Sequence, residues 1–223
     1  MAPSKGNSSR PRGLLLVVSG PSGVGKGTLI AGVLARHPEV RVSVSCTTRP
    51  PRPGEVNGRD YHFVSLDEFE RLRDDGGLLE WAVIHGDLYY GTPRKPVEEA
   101  LARGEDMILE IDYQGARAVR SILGDRSVLV FVAPPSWQTL LERLMLRHTE
   151  RPEEVATRLH SARREIAHMG LYDYIVVNDN LQRATDELEA ILLAERCTAS
   201  RFDWQGLRDR LLAQADAAGP RGE

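Results

Sequence analysis

The stretch SGPSGVGKGT, residues 19–28, decides the fold that this sequence predicts. It directly follows an apolar run, LLLVV at residues 14–18, and directly precedes a helical pattern, TLIAGVLARH at residues 28–37. Glycines let the backbone curl so that its amide groups point inward and cradle phosphate oxygens, and the positive end of the next helix adds to the attraction. Lys26 then supplies a point charge to the β and γ phosphates of a nucleotide. The segment therefore predicts a phosphate-binding loop at the start of an α/β fold.

Outward from this loop, short apolar runs alternate with helical patterns along the chain. This alternation is typical of a parallel sheet covered by helices, so we expect a P-loop α/β fold. Helix signals include Ser65 with Glu68, Ser136, Pro152 and, near the carboxyl terminus, Asp203. The predicted strands are LLLVV at 14–18, VSVS at 42–45, MILEI at 107–111, VLVFV at 128–132 and YIVV at 174–177.

Composition sets limits on the function. The chain has 223 residues, of which 41% are hydrophobic and 27% charged, as in a globular protein. A formal net charge of −3 argues against a general nucleic-acid or membrane-surface binder. No apolar run is long enough to span a bilayer, and Cys46 and Cys197 are too few for a disulfide framework or a zinc site. We therefore expect a cytoplasmic protein.

A second anion site is predicted in SVSCTTRPPRPGEVNGRDYHFVS, residues 43–65. Arg49 and Arg52 lie three residues apart among three prolines, and polyproline II repeats every three residues. Both guanidinium groups would then project from the same edge of a stiff loop. Arginine suits a terminal phosphate because its planar fork binds phosphate through two donors.

The chain resembles guanylate kinases, which phosphorylate GMP with ATP. The resemblance runs from about Leu14 to Leu193. It implies a kinase domain at 14–196, while the polar, Ser/Pro/Gly-rich start predicts a disordered lead at 1–13 and the Leu/Ala/Glu/Arg-rich end predicts a helical extension at 197–223. Within the domain it implies a GMP-binding lobe at about 45–95 and a helical lid at about 136–169. The motifs that carry it are GPSGVGKGT, the 43–65 segment, LLEW, YYGTP, LEIDYQGA, APPS and YDYIVVND.

The resemblance also implies roles for individual residues. Guanine presents an acceptor, O6, beside two donors, so hydroxyl groups and one carboxylate form a complete match. The segment GDLYYGTP is one residue longer than the familiar spacing, which leaves open whether Tyr89 or Tyr90 touches phosphate. The implied GMP-phosphate residues are Arg49, Arg52, Tyr61 and Tyr90, and the implied guanine residues are Ser45, Glu80 and Thr92. The implied ATP-binding residues are Gly20, Pro21, Ser22, Gly23, Val24, Gly25, Lys26, Gly27, Thr28 and Asn178.

A magnesium site is predicted near the phosphate loop. Gly27 stands where such loops usually carry a serine or threonine, so either Thr28 takes its place or waters and phosphates hold the Mg²⁺. If the strand containing Glu110 persists to Asp112, both carboxylates face the same side at its carboxyl end. By resemblance Asp112 is the acid near the metal, and the alternative is a helix-capping or salt-bridging role.

The arginine-dense segment RLMLRHTERPEEVATRL, residues 143–159, predicts a hinged helical lid. By resemblance Arg147 and Arg158 are its catalytic arginines, together with Lys26 and Asp112, whereas Arg143 and Arg151 are interpreted as surface charges. His148 occupies a position that is usually glycine. By the same resemblance, Asn178 contacts adenine, with a role in the turn after its strand as the alternative.

Two rival functions remain. One is an inactive scaffold that binds a phosphopeptide in the GMP lobe, against which Lys26 and the intact glycine loop argue. The other is a kinase for AMP or a different monophosphate, against which Ser45, Glu80 and Thr92 argue. The predicted partners are therefore ATP and GMP, with no nucleic acid or membrane, and the sequence does not give the oligomeric state.

Overall fold

The computed structural model of the protein describes residues 13–84, 88–146 and 152–218. The strands are β1 (Leu15–Ser19), β2 (Arg41–Val42), β3 (Cys46–Thr47), β4 (His62–Phe63), β5 (Leu78–Ile84), β6 (Leu88–Pro93), β7 (Met107–Glu110), β8 (Ser127–Ala133) and β9 (Tyr174–Val177). The helices are α1 (Lys26–Arg36), α2 (Leu66–Asp74), α3 (Arg94–Ala102), α4 (Tyr113–Leu123), α5 (Trp137–Met145), α6 (Pro152–Ala167), α7 (Leu181–Arg196) and α8 (Trp204–Ala218). Short 3₁₀ turns lie at Gly124–Arg126 and Met169–Leu171.

The central sheet has the strand order β2-β7-β1-β8-β9, and every neighbouring pair in it is parallel. β1 lies in the middle, and all five of its side chains are buried. A continuous apolar run is what a parallel strand covered on both faces requires, because water reaches neither side. The predicted α/β class with a parallel core is confirmed.

Alternate residues of β1 enter the two halves of the core. Leu16 and Val18 pack with side chains of α1 and α7, and Leu15 and Val17 pack with side chains of α3 and α4. This alternation follows from the two-residue period of a strand. The sheet therefore packs between two layers of helices. The carboxyl ends of its strands are not covered by these layers and are where a functional site is expected.

A second sheet, ordered β4-β3-β6-β5, forms the inserted lobe. The predicted strand at 42–45 is wrong, because β2 ends at Val42 and β3 begins at Cys46. Ser43 N still donates to the Ile108 carbonyl (3.0 Å), and three residues later the chain pairs with β6 in the other sheet. Residues 43–45 thus form the connection between the sheets, which hydropathy alone reads as a continuous strand.

Helix starts follow the predicted caps. Ser65 accepts a bond from Glu68 N (3.2 Å), Ser136 from Thr139 N (3.0 Å) and Asp203 from Gly206 N (3.0 Å). Each such side chain satisfies a backbone donor that the first turn leaves open. Apart from Gly13, the predicted lead at 1–13 lies outside the described residues. Among the helices that the structure describes, none is both long and apolar enough to cross a membrane.

Candidate active site

The phosphate loop has the conformation that its glycines permit. Gly20, Gly23 and Gly25 all have positive φ, at 141°, 85° and 100°. At Gly20 a side chain would also collide with the Val132 carbonyl, 2.2 Å from an ideal Cβ. Lys26 opens α1, and its Nζ donates to the Gly20 carbonyl (2.5 Å) across the loop. The loop therefore brings backbone amides, a helix N-terminus and a lysine together, as phosphate binding requires.

Asn178, directly after β9, contacts this loop. Its amide Nδ2 donates to the Val24 carbonyl (2.8 Å), and the side chain is buried. Arg143 donates to the same Val24 carbonyl (3.3 Å) and to the Asn178 carbonyl (3.0 Å). The interpretation of Arg143 as a surface charge is therefore wrong, because both of its terminal nitrogens bind backbone carbonyls. The predicted contact of Asn178 with adenine stays a prediction.

The two acids after β7 occupy different positions. β7 ends at Glu110, so the strand does not persist to Asp112, and the condition under which both side chains would share one strand face is not met. Asp112 is the N-cap of α4 and accepts from Gly115 N (2.9 Å), because the chain turns from strand to helix there. Glu110 lies 3.9 Å from Lys26 Nζ with its side chain 42% exposed.

A magnesium ion that arrives with ATP would meet suitable donors here. An ideal Cβ on Gly27 would lie 3.7 Å from Glu110 Oε2, so this carboxylate lies against the first turn of α1, where Thr28 is exposed. In the described part of the chain no three His, Cys, Asp or Glu side chains cluster as a metal site. Mg²⁺ needs only one or two protein oxygens when phosphates and waters complete its shell, so these residues fit it.

The predicted guanine pocket is centred on Glu80 of β5. Glu80 is buried and accepts a bond from Thr92 Oγ1 (2.5 Å) on the paired strand β6. Burial raises the pKa of Glu80 to about 7, the Thr92 hydrogen bond opposes the rise, and the charge of Asp112 adds to it. A Cβ on Gly115 would lie 2.5 Å from Glu80 Oε2. The carboxylate is thus pressed against α4, which joins the lobe to the phosphate-loop core.

Arg49 and Arg52 are placed differently from each other. Arg49 is 8% exposed and lies over the rings of Tyr61 (5.4 Å) and Phe63 (5.7 Å), whereas Arg52 is exposed. The proline-rich spacing predicts that both arginines project from a common edge. Only Arg49, however, lies against the rings of Tyr61 and Phe63, which together with Tyr90 we call the aromatic pocket.

The structure places Tyr90, and not Tyr89, in this pocket. Tyr90 OH accepts from Arg49 Nε (3.2 Å), and its ring lies 6.0 Å from that of Tyr61 in a T-shaped arrangement. Tyr89 instead packs on Phe69 on the opposite face of β6. Successive residues of a strand face opposite sides, so only one of the two tyrosines reaches the candidate phosphate site. Ser45, immediately before β3, is half-buried.

The lid is described in part. Arg158 of α6 donates to Ser22 Oγ (3.2 Å) in the phosphate loop. This contact brings one predicted lid arginine to the loop. Arg147, His148 and Arg151 lie outside the described residues, so their predicted roles stay predictions.

Sequence reasoning missed two acids near the site. Burial raises the pKa of Glu165 on α6 to about 7, against the opposing charge of Lys26. Glu55 binds both terminal nitrogens of Arg49 (2.9 Å each). Spacing offers a signal only for Glu55, which lies six residues after Arg49 in a proline-rich turn, and none for Glu165, which is one acid within a charged helix.

Comparison with known proteins shows the family of the chain. The sequence model of the family described as guanylate kinase matches residues 12–195. The guanylate kinase of Symbiobacterium thermophilum is 54% identical over 193 residues, which cover 86% of this chain and 90% of that relative. The guanylate kinase of Rhizobium etli is 49% identical over 190 residues, which cover 85% of this chain and 86% of that relative.

Among solved structures, the crystal structure of guanylate kinase from Anaplasma phagocytophilum superposes with a TM-score of 0.74 at 35% identity. The match covers 91% of this chain and 95% of that one. The resemblance seen in the sequence motifs is confirmed, and the chain belongs to the guanylate kinase family of nucleotide-binding phosphotransferases.

Proposed function

We propose that this protein transfers the γ-phosphoryl group of ATP to GMP, and to dGMP, giving ADP and GDP. The observation that supports this most directly is the buried Glu80 carboxylate on the lobe. Guanine offers two adjacent donors, N1–H and the N2 amino group, which one carboxylate can accept together. Adenine presents an acceptor at N1, which would face the Glu80 oxygens unfavourably.

The two substrates would bind at the two anion sites of the structure. ATP phosphates would lie in the loop of residues 20–28, with Lys26 on the β and γ phosphates. The GMP phosphate would lie against Arg49, Tyr61 and Tyr90, with Arg52 nearby. Burial raises the pKa of Tyr61, and the charges of Tyr90 and Glu110 add to the rise.

We propose separate roles for the hydroxyl groups of Ser45 and Thr92. A hydroxyl has one proton, and Thr92 donates its proton to Glu80 Oε1. In this arrangement Thr92 can only accept, so we assign the bond to guanine O6 to Ser45. Thr92 then orients the Glu80 carboxylate.

Catalysis would consist of positioning and charge stabilisation. The attacking phosphate of GMP is already ionised, so no general base is required. Lys26 and Arg158 would stabilise the charge that develops on the transferring group, and Arg147 would join them. Thr28 and Glu110 would hold Mg²⁺, with Asp112 two residues after Glu110, and the ion would neutralise charge on the β and γ phosphates.

A coupled assay of ADP formation with GMP, dGMP, AMP, CMP and UMP tests the proposal. We expect turnover with GMP and dGMP and at least ~10²-fold lower kcat/KM with AMP, since mismatched buried polar groups discriminate strongly. Equal turnover with AMP would favour the rival monophosphate kinase, and no turnover with any acceptor would favour the inactive scaffold. A cytoplasmic location stays a prediction from the sequence.

A further inference from the structure

The guanidinium group of Arg49 binds different partners through its terminal nitrogens, Nη1 and Nη2, and through Nε. Nη1 donates to Glu55 Oε2 (2.9 Å) and to the Pro50 carbonyl (2.7 Å), and Nη2 donates to Glu55 Oε1 (2.9 Å). Nε donates to Tyr90 OH (3.2 Å). A guanidinium has five N–H donors in a rigid fork. Glu55 therefore accepts one proton from each terminal nitrogen. The Nε proton and the second Nη2 proton point to the side of the guanidinium, and Glu55 does not bind them.

Glu55 also fixes the turn that carries both arginines. Its Oε2 accepts from Arg52 N (2.7 Å), and its own N donates to the Arg52 carbonyl (3.0 Å). Hydrogen bonding from Arg49, and then from Arg52 N, holds the pKa of Glu55 below its usual range. The carboxylate is thus ionised at neutral pH and joins the side chain of Arg49 to the backbone of Arg52.

The Nε side of the Arg49 guanidinium, which Glu55 does not bind, faces the aromatic pocket. The group now on that side is the neutral hydroxyl of Tyr90, and Tyr61 lies beneath the guanidinium at 5.4 Å. A phosphate could take the Nε and Nη2 donors together by displacing this one hydroxyl, while the Glu55 pair stays intact. Arginine binds phosphate most strongly through such a two-donor fork.

We propose that Glu55 is a positioning residue for the acceptor phosphate. By binding Nη1 and Nη2 of Arg49, it orients the Nε and Nη2 donors on the side of the guanidinium towards the GMP phosphate. The proposal rests on the assignment of this pocket to GMP. The competing interpretation is that Glu55 occupies the site of the phosphate and must leave before GMP binds. The two differ in sign, because positioning predicts weaker GMP binding when Glu55 loses its charge, whereas competition predicts tighter binding.

The test compares GMP with guanosine, which lacks the phosphate, by titration calorimetry and steady-state kinetics on Glu55→Gln. We expect KM for GMP to rise about tenfold or more, on the scale of a lost charge-assisted pair. Guanosine affinity and KM for ATP should stay within about twofold, and kcat should change less than KM for GMP. Glu55→Asp, which keeps the charge on a shorter arm, should recover part of the GMP affinity.

Asp60→Asn is the matched control, because Asp60 is a carboxylate of the same turn that binds Val56 N (2.7 Å) and Arg59. It should leave KM for GMP near the wild-type value. Unchanged or tighter GMP binding in Glu55→Gln overturns the proposal, as does an equal loss for guanosine, which would indicate a general disturbance of the lobe. Failure of the wild-type protein to bind GMP would instead contradict the proposed function.

Discussion

Glu80 carries a prediction about pH because its pKa, raised to about 7 by burial, lies far above that of an exposed glutamate. In the proposed binding mode the ionised form of Glu80 accepts the guanine donors, so GMP affinity should fall as pH falls. At pH 6 only about a tenth of a group with this pKa is ionised, so affinity should be about tenfold lower than at pH 8. GMP binding at pH 7 should release protons, since bonds to the charged form favour it.

Titration calorimetry in buffers of different ionisation enthalpy measures this release. Glu80→Gln is the control, and the pH dependence that it retains belongs to the GMP phosphate. We expect this variant to lose GMP affinity by up to ~10⁴, because the buried donors lose their match, and to bind ATP as before. Unaltered GMP affinity in Glu80→Gln would remove Glu80 from the pocket. Proton uptake on GMP binding would contradict the prediction that Glu80 is ionised in the complex.

Lys26 tests the phosphate loop itself. Lys26 is the first residue of α1, and its Nζ donates a hydrogen bond to the Gly20 carbonyl. Lys26→Met keeps most of the aliphatic chain and removes the charge, so we expect a folded protein whose kcat falls by about 10² or more. Circular dichroism and a coupled assay at saturating Mg-ATP check both parts. Activity within about tenfold of the wild type would contradict the role of Lys26 as a transition-state cation.

At the level of elements, arginines on the lobe and on α6 should fail in different ways. Arg49 is hydrogen-bonded to Glu55, so in the proposed binding mode it would contact the GMP phosphate in the ground state and the transition state alike. Arg49→Ala should therefore mainly raise KM for GMP. Arg158 lies on the lid beside Ser22 of the phosphate loop, and its loss should lower kcat by about 10²–10⁴.

Steady-state kinetics that vary each nucleotide in turn separate these effects. Lys95→Ala on α3 is a suitable control, because Lys95 is exposed and pairs only with Glu99 of its own helix among the described residues. If Arg158→Ala changes only KM for GMP while Arg49→Ala changes only kcat, the acceptor site and the lid have been exchanged in our interpretation.

For the whole molecule, predictability from sequence depended on how far apart the interacting residues lie. The phosphate loop was predictable because its glycines, lysine and helix start are set within ten consecutive residues. The position of Asp112 was not, because strand periodicity cannot tell where β7 stops and α4 begins. The choice between Tyr89 and Tyr90 depends on the side of β6 that faces the aromatic pocket, which only the pairing of strands reveals.

Arg201 lies in the carboxyl-terminal extension and hydrogen-bonds to the family domain, so it indicates where the folded unit ends. The family model stops at residue 195, yet Arg201 is buried and donates to the carbonyls of Arg126 (3.2 Å) and Asp125 (3.3 Å) in the 3₁₀ turn before β8. Beyond it, α8 is largely exposed, including Leu211 at 55% and Leu212 at 57%. The segment up to Phe202 therefore belongs to the core, whereas α8 adds little to it.

We accordingly expect Arg201→Ala to destabilise the protein by about 2 kcal/mol, as for loss of buried hydrogen bonds from a charged group. For a chain of this size the melting temperature should fall by roughly 4–8 °C. Deleting residues 203–223 should leave it within about 2 °C of the wild type, because exposed side chains contribute little to the free energy of unfolding. Calorimetric melting of both variants decides between the two boundaries. A deletion as destabilising as Arg201→Ala would mean that α8 is part of the folding unit.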